Sequence, residues 1–110
     1  MGHLFYGSAD LPIRLPDRIL AHVKVVIATK LRRGESFTLS WQHPEGEQAG
    51  RSTLWIHPSI PLRFVFTTVD PEVLDPAVLQ QYATAANSSS GLLVDIDEAH
   101  AGLPRGVASH

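Results

Sequence analysis

An α+β fold is predicted by three features of this chain. Two stretches carry apolar residues at helical spacing, several short stretches alternate apolar with polar residues, and clusters of Gly, Pro, Ser and Asp lie between them. The elements read in the order β-β-α-β-β-β-α-β, which describes a two-layer domain with a mainly antiparallel sheet and two helices on one face. A length of 110 residues, 44% apolar and 18% charged, suits one domain with a modest core. Residues 1–96 are expected to form it. Residues 97–110 lack apolar periodicity and are expected to be a flexible tail.

Leu4–Tyr6 and Ile13–Leu15 are short apolar runs around Gly7, Ser8, Asp10 and Pro12, the composition of a hairpin turn. Pro16 and Asp17 then open a stretch of about fifteen residues, with Asp17 as the residue whose carboxylate accepts from the first free helix amides. At the other end Lys30, Arg32 and Arg33 suit the negative helix terminus, and Gly34 suits a left-handed cap. Leu20, Val23, Ile27 and Leu31 make one stripe between the caps. Val23–Thr29 is rich in β-branched residues and competes as a strand, but length and both caps decide for a helix.

Phe37, Leu39 and Trp41 alternate with Ser36, Thr38 and Ser40, the pattern of a strand with one buried face. The polar segment Pro44–Gly50 has hairpin length, so 36–43 should pair antiparallel with 52–57. Pro58 and Pro61 break the ladder, because proline donates no amide. Leu62, Phe64 and Phe66 then resume an inward face opposite Arg63, Val65 and Thr67. Asp75 and Pro76 start a second helix bearing Val78, Leu79, Tyr82, Ala83 and Ala86, which ends by Asn87, and 92–96 supplies a last strand.

A net charge of −2 hides an asymmetry: residues 1–66 hold eight of the nine Lys and Arg with five acids, and 67–110 hold one with six. The basic half admits a polyanion-binding patch, though pairing of the halves would cancel much of its field. Without cysteine there is no disulfide, thiolate nucleophile or sulfur-ligated metal. No secretory leader or 20-residue apolar span is visible, and a cytoplasmic location is expected.

The six histidines show no His-x-His or HExxH spacing, and only His43 and His57, at the ends of adjacent strands, are candidates to approach each other. Ser40, Ser52 and Ser59 sit in no GxSxG elbow. Neither a Walker sequence nor GxGxxG is present, so no cofactor is expected. The positive signal is basic and aromatic: Lys24, Lys30, Arg32, Arg33, Arg51 and Arg63 with Trp41 and Trp55. Such a set holds nucleic acid through phosphate contacts and base stacking, and equally describes a capped helix and solvated arginines around a tryptophan core. The core reading is preferred for the two tryptophans.

The segments KLRRGESFTLSWQHP (30–44), GRSTLWIHPSIPLRFVF (50–66) and AANSSSGL (85–92), with MGHLFYGS at the start and DRILAHVKVVI in the helix, resemble a group of small single-domain bacterial proteins commonly labelled ATP-dependent DNA ligase. The resemblance spans about residues 1–95 and implies an association with nucleic acid. A ligase of that kind forms a lysyl-adenylate at Lys-x-Asp-Gly. Lys24 is followed by Val25, Val26 and Ile27, and Lys30 by Leu31, Arg32 and Arg33, so no catalytic residue is carried over.

The reading is a small non-catalytic domain that contacts nucleic acid, or a protein that processes it, through Lys30, Arg32, Arg33, Arg51, Trp55, His57 and Arg63. The alternative is a protein-interaction or self-assembling module, with no membrane partner in either case. An enzyme around His57 and Ser59 ranks third.

Overall fold

In the computed structural model, which describes residues 1–8 and 12–96, the elements follow the predicted order. They are β1 (Gly2–Tyr6), β2 (Ile13–Leu15), α1 (Asp17–Arg32), β3 (Phe37–Gln42), β4 (Arg51–Ile56), β5 (Leu62–Val65), α2 (Pro76–Ala86) and β6 (Leu92–Val94). The tail expected over 97–110 lies outside the described residues. Both predicted hairpins form: Leu4 pairs with Ile13 in the first, and Leu39 pairs with Leu54 in the second.

The strands fall into two three-stranded sheets rather than a single one. One has the order β2-β1-β5 and is antiparallel throughout; the other has the order β4-β3-β6, with β6 parallel to β3. The division follows from the proline pair. The β4 ladder stops at Ile56, the Ile60 amide donates to the His57 carbonyl at 3.0 Å to close a turn, and the Gly7 amide donates to the Pro61 carbonyl at 2.8 Å. That bond docks the chain on the end of β1, so β5 restarts beside β1 instead of β4.

α1 packs on β1, α2 packs on β6 and β3, and the helices pack on each other. Leu4, Leu15, Leu20, Val23, Ile27, Leu39, Ile56 and Leu92 are fully buried where these surfaces meet, each contributing roughly 1.5–3 kcal/mol of burial. The buried face of α1 is wider than its predicted stripe, because Ile19 and Val26 are buried as well. Gly2 is needed for the close approach of α1. A Cβ there would stand 2.6 Å from Leu20 Cδ2 and 2.8 Å from the Val65 carbonyl oxygen. Gly91, at φ +77°, turns the chain into β6 where a Cβ would meet Thr38 Oγ1 at 1.9 Å and the Thr38 carbonyl at 2.7 Å.

Asp17 does not cap its own helix; Pro16 occupies the cap position and Asp17 is the first helical residue. Its Oδ2 accepts from the Thr67 amide at 3.0 Å and the Thr67 hydroxyl at 2.5 Å, tying the exit of β5 to the start of α1. Burial pushes the Asp17 carboxyl up, but the two Thr67 bonds, the charge of the N-terminal amine and the Thr68 amide together hold it below the usual carboxylate range. The C-terminal end behaves as predicted: Gly34 has φ +72°, and the Gly34 and Glu35 amides donate back to Leu31 and Lys30 carbonyls.

Asp75 caps α2 as predicted, accepting from the Ala77 amide at 2.9 Å with Pro76 in the first turn. Its own amide is bound by His22, a side chain of α1 that is 1% exposed. The Arg18 carbonyl at 2.6 Å from His22 Nδ1 only accepts and the Asp75 amide at 2.9 Å from Nε2 only donates. The ring is therefore the neutral Nδ1–H tautomer. His22 pins the start of α2 to the first turns of α1, with its ring edge-on to Tyr82.

Candidate functional site

The seven predicted contact residues do not gather on one surface. Lys30 is mostly covered: its ammonium donates to Asn87 Oδ1 and pairs with Glu35 at 3.2 Å, bracing the helix ends together. Arg32 and Arg33 are exposed at the end of α1. Arg51 and Trp55 share the outer face of β4, since side chains two apart on a strand point the same way. Arg63 lies on the outer face of β5, in the other sheet, and His57 lies in the turn between the two strands.

The tryptophans separate. Trp41 is 8% exposed on the inner face of β3, as a core residue should be, whereas Trp55 is 53% exposed. Trp55 therefore corrects the core reading, because β4 alternates in phase with β3 and places Leu54 and Ile56 inward. The Tyr6 hydroxyl donates to the Trp55 carbonyl, so backbone rather than side chain joins the two sheets here. Leu93, 59% exposed on β6, lies across β3 on the same outer face.

Around Arg63 the fold assembles side chains that sequence reading missed. Register sets Arg14 opposite His3 and Phe5 opposite Arg63, all on the outer side of β2-β1-β5. The Arg63 guanidinium lies 5.4 Å from the Phe5 ring centroid, and His3 lies 6.4 Å from the same ring. The strand positions on this outer side are Arg14, His3, Phe5, Arg63 and Val65, none of them acidic. The signal was present in β1: extending the Leu4–Tyr6 alternation back to Gly2 puts His3 and Phe5 together, but the partner strand was needed to add Arg63.

The predicted approach of His43 and His57 does not occur. In the antiparallel hairpin His43 sits at the turn, where its amide donates to the Gly50 carbonyl at 2.8 Å, and His57 follows the far end of β4. Seven strand positions separate them, more than about 20 Å. Each instead meets a serine. His57 Nδ1 receives the Ser59 amide at 3.1 Å and the Ser59 hydroxyl at 2.8 Å, a local turn closure. His43 Nε2 is 2.7 Å from Ser52 Oγ, while His43 Nδ1 faces the Gln48 carbonyl at 2.9 Å. Among the described residues no group of three or more His, Cys, Asp or Glu is placed to hold a metal ion.

Hollows border these elements. One, of about 480 Å³, lies between the N-terminal strands and sheet β4-β3-β6, and its wall includes Ile13, Arg14, Trp41, His43, Ser52 and Ile96. Another, of about 320 Å³, is a mainly apolar groove between α1 and α2 lined by Val25, Val26, Leu79 and Ala83.

An α+β domain with a cationic, aromatic outer sheet face is thus the class that fold and surface define. The chain belongs to the family described as a domain of unknown function, DUF7882, whose sequence model matches residues 1–98. No curated protein and no solved structure matched it. Among the described residues no helix is long and apolar enough to cross a membrane.

Proposed function

We propose that this domain contacts nucleic acid through the outer side of β2-β1-β5. The observation that supports this is the row of Arg14, His3, Phe5 and Arg63 at strand positions of one face, with no acidic residue among those strand positions. Guanidinium groups neutralise phosphates and release counterions, and an aromatic ring on the central strand accepts a stacked base whatever its identity. The resemblance to ligase-labelled proteins points the same way. Arg51 and Trp55 on the second sheet extend the contact in this reading, and Lys30, already engaged with Glu35 and Asn87, contributes least.

Fluorescence anisotropy with a labelled single-stranded oligonucleotide tests it. Binding should weaken as salt rises, and Arg14→Ala or Arg63→Ala should each reduce the salt slope by about 1. Absence of binding at about 50 mM salt would refute direct contact.

A second reading has its own support, because Trp55 and Leu93 are exposed on one face of β4-β3-β6. Exposed apolar side chains on one sheet face suit a protein partner or a second copy of the chain. Sedimentation at rising protein concentration separates the readings: self-association lost on Trp55→Ser favours the second.

A further inference from the structure

Of the two histidine–serine pairs among the described residues, one borders a hollow large enough for a small molecule. We propose that Ser52 is an activated nucleophile with His43 as its general base and the Gln48 carbonyl as the group that orients His43, acting on small carboxylic esters with an apolar acyl group. The Gln48 carbonyl, 2.9 Å from His43 Nδ1, only accepts, so in the neutral ring Nδ1 carries the proton. Nε2 then offers its lone pair to Ser52 Oγ at 2.7 Å. Nucleophile, base and orienting acceptor thus stand in the order and at the spacing that nucleophilic catalysis requires.

The hairpin builds this arrangement. Gln42 pairs with Arg51 and the His43 amide donates to Gly50, which makes Ser52 the diagonal same-face neighbour of His43. Both point to the side of Trp41, which is the inner side. There they line the hollow of about 480 Å³, within the usual range for small-ligand sites. Ile13, Trp41 and Ile96 give it apolar wall for an acyl chain, and Arg14, Glu45 and Glu47 make part of its rim polar. His57 and Ser59 lack such a setting, since one ring nitrogen takes both the amide and the hydroxyl of Ser59.

The chemistry balances with water as the co-substrate. Ser52 Oγ adds to the acyl carbon as its proton passes to His43 Nε2, and the imidazolium, held by the Gln48 carbonyl, protonates the departing alkoxide. Water then adds to the acyl carbon of acyl-Ser52, giving its proton to His43. The Ser52–acyl bond breaks, the carboxylic acid leaves, and the proton returns to Ser52 Oγ. This site does not depend on the nucleic-acid reading, and either can fail without the other.

A fluorophosphonate probe and 4-nitrophenyl butyrate test the assignment on the full chain. The wild type should take one phosphonyl group, mapped to Ser52, and release nitrophenol. Ser52→Ala should abolish both, His43→Gln should slow labelling by about 10²-fold or more, and Ser59→Ala should leave both unchanged. Thermal unfolding of each variant confirms that folded protein is compared, and Ser52→Ala, a loss of one oxygen, carries the result if His43→Gln unfolds. A folded wild type that stays unlabelled, labelling that survives Ser52→Ala, or labelling equally fast in urea overturns the proposal.

Discussion

Replacing His22 with leucine should destabilise this domain by about 3 kcal/mol, and the size of the loss can be built from what the ring touches. Its Nε2 accepts the Asp75 amide at 2.9 Å at the start of α2, and no other acceptor for that amide occurs among the hydrogen bonds of the described residues. Stranding a covered amide costs about 1–3 kcal/mol, and the Nδ1–H bond to the Arg18 carbonyl adds about 1 kcal/mol. Leucine has similar bulk, so the packing loss against Tyr82 adds less than about 1.5 kcal/mol. His22→Gln separates hydrogen bonding from packing, because its side-chain carbonyl extends to about the position of Nε2 and again accepts from Asp75. Urea unfolding followed by circular dichroism should give a midpoint lower for His22→Leu than for His22→Gln, with unchanged slope. Equal midpoints for wild type and His22→Leu would show that the ring pins nothing.

Asp17 gives a pH signature. Its carboxyl is held below the usual range in the folded state, so its contribution is fully present above about pH 4 and is lost as pH falls through the folded value. The stability gap between wild type and Asp17→Asn should accordingly close on acidification in urea titrations between pH 7 and pH 2; a gap that widens is the contrary result. The tryptophans should behave oppositely. Trp41→Ala should cost about 3–5 kcal/mol in the same assay, whereas Trp55→Ala should cost less than about 1 kcal/mol, because the bond from Tyr6 is to the Trp55 backbone. Similar losses at the two sites would contradict the inward and outward assignments.

Local chemistry made most elements legible. Asp75 and Pro76 start α2, Gly34 closes α1, and the alternation around Phe37–Trp41 marks β3 because each is a statement about backbone angles or a repeat of two. Pairing across longer distances was not legible in the same way. Nothing within 62–65 says that β5 lies beside β1, and nothing around Asp17 says that its carboxylate serves Thr67 in place of its own helix. The candidate site divides likewise. Arg63 stood out as an outward strand residue, but Phe5, His3 and Arg14 became its neighbours only once register was known.

By itself the amino-acid sequence determined the element order, the two hairpins, the close of α1, the start of α2 and the absence of any lysyl-adenylation motif, all of which depend on residues close along the chain. Only the tertiary structure decided the split into two sheets, the exposure of Trp55, the locked tautomer of His22 and the meeting of His43 with Ser52. Hydrogen-bond partners and burial arise from segments far apart in sequence. A short strand carries its own inward and outward faces, but not the identity of the strand that will lie beside it.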